Sequence, residues 1–222
     1  MRAPAAALST ALAVTAALTL AACGGGSSGG SDKIAVPKTT PATTAATTTA
    51  SPDAGHPLRI DPALALPGDL KVTFTWDMPG DATQAAALTA AADYVQAIDH
   101  AVVEQNRNDP PLLRYAADDA LAYAQKFVGE NVAAKLTVTG TDAYYAPHVT
   151  TASGGSSVEV TLCDNQAKLY SKELATGKVR VTQADDDSYV LYDIVLVKFP
   201  TKDAIWQAHG ITVKEGAPQC KE

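Results

Sequence analysis

The spacing of apolar residues along this chain changes near Leu136, from every third or fourth residue to every second. Upstream, Leu88, Ala91, Ala92, Val95, Ile98 and Val102 recur at helical intervals, and downstream the alternation is that of strands. A helix buries a stripe and a strand buries a face. A chain that places helices first and strands in succession afterwards therefore folds as α+β, with the helices packed on a mainly antiparallel sheet.

The elements can be drawn more closely. Residues 70–76 alternate Leu70, Val72, Phe74 and Trp76 against Lys71, Thr73 and Thr75, which predicts a half-buried strand. Asp81 with Gln84 three residues on has capping-box spacing. The helix behind it reads as amphipathic and packed by one face, with Asp93, Gln96, His100, Glu104 and Arg107 away from the stripe. Asn108-Asp109-Pro110 stops that helix, and Asp109 and Pro110 can open another as N-cap and first residue. Asp118 or Asp119 can recap a third, with Leu121, Ala124, Phe127, Val128 and Val132 inward, ending near Lys135. The pattern leaves open whether 110–135 holds two helices or one bent helix. Strands are predicted at 136–139, 143–145, 157–163, 178–182, 189–199 and 205–213, with turns at Gly154-Gly155, Thr176-Gly177 and Asp185-Asp186-Asp187. The run from Tyr189 to Val197 is apolar on both faces, so a central strand covered on each side is expected, with the helices on its concave side.

Upstream of this domain, residues 23–57 consist mainly of Gly, Ser, Thr, Ala and Pro. Such a composition buries too little apolar surface to offset its ordering entropy, and a disordered tether is expected. A coil of that length spans about 35 Å. Before it, Arg2, an apolar run from Ala5 to Leu20, and Leu20-Ala21-Ala22-Cys23 resemble the lipobox of a bacterial lipoprotein signal peptide. The apolar run is too short for a membrane span. The resemblance implies a leader at 1–22, diacylation of Cys23, and a mature protein held by lipid on the extracytoplasmic face of the cell membrane. The domain then runs over 58–222, long enough for one sizeable core.

Charge narrows the partners. The chain has 17 basic and 24 acidic residues, net −7, and loss of the leader with Arg2 makes it −8. That sign argues against nucleic acid and against adhesion to anionic lipid, leaving acylation as the hold on the membrane. After export the remaining cysteines are Cys163 and Cys220, an even pair in an oxidising compartment, where a disulfide is expected. Two free structural thiols remain the rival reading. Neither cysteine has a His or Cys at metal-ligand spacing, and no metal or cofactor is expected.

Two early helices, a long antiparallel sheet and a last strand with Ile205-Trp206-Gln207 resemble the nuclear-transport-factor-2-like, or cystatin-like, fold, in which helices pack into a curved sheet. The chain is also similar to secreted lipoproteins of unassigned function from high-GC Gram-positive actinobacteria. That likeness lies in the lipobox, Tyr115-Ala116, Asp119-Ala120-Leu121, Val138-Thr139-Gly140-Thr141, Leu162-Cys163-Asp164, Ser188-Tyr189-Val190-Leu191-Tyr192, Trp206-Gln207 and Cys220.

The fold resemblance implies cone-shaped sheets that host isomerases and cyclases using an Asp or His inside the cone. The acid–base candidates are His100, His148, His209, Asp93, Asp99, Asp193, Tyr94, Tyr144, Tyr145 and Tyr192. The three histidines read as unrelated surface or edge residues. Asp193 interrupts an apolar strand and reads as an edge residue or a buried pocket acid. No Ser nucleophile sits at a strand-to-helix turn, and Asp185-Asp186-Asp187 lacks the alternation of a calcium loop. No catalytic residue is assigned. Trp206 closes the core or, with Asp193, meets a ligand or partner. The expected function is a non-catalytic binding or interaction module of the cell envelope, its partner an envelope protein or an apolar small molecule. The alternatives are a carrier of an apolar ligand in the cone, and a pocket enzyme of the isomerase or cyclase kind.

Overall fold

The computed structural model describes residues 57–199 and 205–221. The leader, Cys23 and the tether up to His56 lie outside the described residues. Strand β1 (Leu70–Thr75) is followed by helices α1 (Ala82–Val103), α2 (Pro110–Tyr115) and α3 (Asp118–Ala134). Strands β2 (Leu136–Thr151), β3 (Ser157–Glu173), β4 (Val179–Arg180), β5 (Tyr189–Lys198) and β6 (Trp206–Lys214) complete the chain. The fold is α+β, with helices on a curved sheet of order β1-β2-β3-β5-β6, and β4 pairs with β3 off this path. β1 runs parallel to β2; among the described residues the other strand pairs, β2–β3, β3–β4, β3–β5 and β5–β6, are antiparallel.

Local chemistry sets the helix limits. Asp81 caps α1 by accepting the Gln84 N–H at 2.9 Å. Pro110 opens α2, whose N-cap Asp109 makes no side-chain cap bond because its carboxylate is taken by His100. Residues 110–135 hold two helices. Between them Ala116 is extended and bridges Ala208 of β6, and the Ala117 N–H donates to the Ala208 carbonyl at 2.8 Å. α3 ends at Lys135, which takes the left-handed conformation.

One expectation about α1 is overturned. It is not packed by one face: Asp93, Tyr94, Ala97 and Asp99 are buried as well as the stripe of Leu88, Val95 and Val102. Its alanines let neighbours approach on every side. The sheet lies against one face, α2 and α3 flank it, and the N-terminal segment closes the rest, with the Asp61 N–H donating to Asp93.

The sheet also departs from the sequence reading. The separate strands expected at 136–139 and 143–145 are one strand, and β3 continues ten residues past Cys163, to Glu173. Two bulges disguise this. Opposite Asp142, β3 spends two residues, Gln166 and Ala167; opposite Leu162, β2 spends Ala146 and Pro147. Each bulge breaks the alternation on which the reading depended. Near the first, Gly140 has φ +101°, and a Cβ there would land on the Lys168 carbonyl oxygen.

On the inner face, Val158, Val160 and Leu162 of β3 meet Val190, Tyr192, Ile194 and Leu196 of β5 beneath the helices. The outer face of β5 is not fully covered as expected. Leu191 lies half-buried near the C-terminal tail, whereas Val195 is 40% exposed. The tail is pinned there by a disulfide between Cys163 and Cys220, with Cα atoms 5.3 Å apart, and the Tyr145 hydroxyl donates to the Cys220 carbonyl. Disulfides of this kind form and persist in oxidising compartments. Among the described residues no helix is long and apolar enough to cross a membrane.

Candidate functional site: a carboxylate trio inside the sheet

Alternation along β2 and β3 turns Asp142, Tyr144 and Asp164 toward the helices, and α1 brings Asp99 down to meet them. The exposure of Asp99, Asp142 and Asp164 is 5%, 1% and 0%. Asp142 lies within hydrogen-bonding reach of both other carboxyls and of the Tyr144 hydroxyl. Gln166, turned inward at the bulge, donates to Asp164 at 2.6 Å. No N–H or hydroxyl donor reaches Asp99 Oδ2, Asp142 Oδ1 or Asp164 Oδ1.

Burial disfavours charge, and like charges disfavour it further. Desolvation first, and the neighbouring Asp142 second, push the Asp99 and Asp164 carboxyls well above the usual carboxylate range. Desolvation also raises Asp142, but bonds from Asp164, Tyr144 and Asp99 hold it back. Of the three, Asp142 has its charged form favoured most by bonds, and Asp99 and Asp164 are pushed furthest toward the protonated form. Shared protons satisfy oxygens that three bare carboxylates would leave facing one another. Tyr144 and Tyr192 stay neutral, their hydroxyls pushed well up by burial.

Two of the three carboxyls, Asp99 and Asp142, border space. A void of about 40 Å³ is lined by Asp99, Asp142, Tyr144, Gln166 and Tyr192 together with α1 and α3 side chains. It shares Tyr123, Phe127, Gln166 and Tyr192 with a mouth of about 240 Å³, rimmed by Lys126, Glu130 and Glu215. The walls are aromatic: Tyr144 stacks on Phe74 at 5.5 Å between ring centres and meets Tyr192 edge-on at 6.1 Å. A wider depression of about 750 Å³ lies elsewhere, between Val103, Val138, Leu174 and Val179, and holds none of the donor-poor oxygens.

Of the residues singled out from sequence, Asp99, Tyr144 and Tyr192 come together here. The others do not. Trp206 is 5% exposed and belongs to the core, and Asp193 sits half-buried on the outer face opposite Thr161 and Thr212. His148 is exposed on β2. The surface reading of His100 is corrected: its side chain is 12% exposed and binds the buried Asp109 at 2.8 Å. His209 ties β6 to α3 through Asp118 at 2.7 Å. Asp93 lies on another side of α1, beside Asp61, where burial pushes its carboxyl up to about 6. Asp186 of the acidic turn pairs with Lys221. Among the described residues no group of three His, Cys, Asp or Glu is disposed to hold a metal ion.

Asp142, Asp164, Gln166, Tyr123 and Phe127 escaped the sequence reading as site residues. A signal was present for two of them. Asp164 continues the inward series Val158, Val160, Leu162, and Asp142 shares the phase of Val138 and Tyr144, so both are carboxylates on core-facing positions.

No protein-family model matches the chain, and no characterised protein matches it in sequence. Two solved structures similar to it are a ketosteroid isomerase-like protein from Erwinia carotovora atroseptica SCRI1043 and the intermembrane space region of chloroplast protein ARC6. The first is 18% identical, covering 62% of this chain and 99% of that one, with a TM-score of 0.38. The second is 12% identical, covering 58% and 94%, also with a TM-score of 0.38. The likeness is one of general architecture, and no activity or residue role is taken from it.

Proposed function

We propose that this chain is a lipid-anchored extracytoplasmic protein whose domain binds a small molecule between helices and sheet, without a cofactor and without transforming it. The observation that carries this reading is the mouth of about 240 Å³ leading to a void walled by buried carboxyls. Side chains do not fill the inner face of the sheet, as a pure interaction module would have them do. A wholly apolar cargo would leave Asp99 Oδ2 and Asp142 Oδ1, which receive no N–H or hydroxyl donor, as bare as before, so the ligand has a polar group that reaches inward. The location rests on the Leu20–Cys23 sequence and is supported by the disulfide.

A second reading is a pocket enzyme. It is favoured by one observation: Asp99, Asp142 and Tyr144 line a cavity, with Asp142 within bonding reach of both others and of Asp164, an arrangement suited to proton transfer to a bound substrate.

Native mass spectrometry of the protein purified from its own host tests the binding reading. A retained small molecule, lost in Tyr192→Ala, is expected; the same ligand-free mass for parent and variant would contradict it. Conversion of that ligand to a new species by the parent protein would favour the enzyme.

A further inference from the structure

We propose that the ligand is a small organic cation: a primary ammonium group seats against Asp99 and Asp142, and an apolar or aromatic body occupies the mouth. This rests on the binding reading above and names its ligand class.

Two independent features converge on it. The first is Asp99 Oδ2 and Asp142 Oδ1, on side chains more than nine-tenths buried, which receive no N–H or hydroxyl donor and belong to residues lining one void, with Asp164 bonded to Asp142 behind them. An ammonium carries three N–H donors and no acceptor, the complement of that wall. At about 40 Å³ the void is the size of one water's share of liquid volume, room for a head group and little more. The second is the approach. Tyr123, Phe127 and Tyr192 line the path from mouth to void, and aromatic faces attract cations. Charge at the rim agrees: Glu130 and Glu215 flank it, and Lys126 is its lone cation among the described residues.

Binding then has a proton consequence. The groups facing the void are Asp99 from α1, Asp142 and Tyr144 from β2, Tyr192 from β5 and Tyr123 from α3, and Asp164 of β3 bonds to Asp142 behind them. When the ammonium arrives, its N–H groups replace the protons held between carboxyls, and at least one of those protons leaves to solvent. No bond to carbon forms or breaks.

Calorimetry on the full exported protein at neutral pH tests this, with phenethylamine, 2-phenylethanol and phenylacetate as probes, each in two buffers of different ionisation enthalpy. Phenethylamine should bind at least tenfold more tightly than 2-phenylethanol, phenylacetate more weakly still, and the amine's heat should change with buffer because protons are released. Asp99→Asn, which keeps the shape of the protonated acid, should weaken the amine at least tenfold and leave the alcohol unchanged. Equal affinity for amine and alcohol, or amine binding without proton release, overturns the ammonium site and leaves the binding reading standing. Failure of all three probes overturns the inference too, and a ligand-free protein from its host would remove the binding reading with it. The proton-release measurement needs only the parent protein, so the test survives a variant that fails to fold.

Discussion

His100 shows how one side chain can be judged by what it would leave behind. Its ring holds Asp109, a carboxylate 4% exposed at the start of α2, and no helix-cap bond relieves that group. Removing the ring strands a buried charge, so His100→Ala should cost about 1–3 kcal/mol by denaturant melting at neutral pH. His209 pairs with Asp118, whose side chain is 73% exposed and can return to water, and His209→Ala should stay within about 1 kcal/mol. A large loss for His209→Ala would mean that its tie between β6 and α3 matters more than solvent exposure suggests. Trp206 is a core residue, and Trp206→Ala should cost about 3–5 kcal/mol. Parent-like melting of that variant would contradict its burial.

Elements built from regular spacing were readable from sequence, and those broken by bulges were not. The start of α1 at Asp81, a new helix opening at Pro110, a helix end near Lys135 and the strand over 189–198 follow from caps, prolines and apolar runs, all local signals, whereas α1 itself ends at Val103, before the Asn108-Asp109-Pro110 stop. The second half of β3 did not follow. Gln166 and Ala167 share one place in the register, which shifts the phase and puts polar residues where a strand reader expects apolar ones. The site was hidden for the same reason, since Asp142 and Gln166 face each other across that bulge. Asp99 was visible as a candidate, but only the sheet's curvature shows that it meets two other acids. Gly140 beside the bulge makes this testable. Any side chain there collides with the Lys168 carbonyl and takes a strained φ, so Gly140→Ala should lose about 1–3 kcal/mol from conformation alone. Unchanged melting would mean that β2 and β3 do not approach as described.

Across the whole molecule, the unusual property is a surplus of carboxyls that prefer to be protonated when folded. Asp93 lies at about 6 against an ordinary value of 3.8, and Asp99 and Asp164 are pushed well above theirs. A raised carboxyl contributes stability that is fully present below its unfolded value and is lost as pH rises through its folded value. Asp93 alone is worth about 3 kcal/mol on this count. The protein should therefore gain stability as pH falls from about 7 toward 4, and Asp93→Asn should flatten that slope. Asp61, held low chiefly by the Tyr115 hydroxyl, acts in the opposite sense at lower pH, where it loses its charge. The central claim is that the curved sheet encloses a proton-sharing trio beside an open mouth. Carbon-13 NMR titration of the aspartate carboxyl carbons in the exported protein, assigned with Asp99→Asn and Asp164→Asn, tests it most directly. Two of the three inner carboxyls should remain protonated at neutral pH and lose a proton when phenethylamine is added. Ordinary carboxylate titration near 4 at all three positions, unmoved by the amine, would contradict the account.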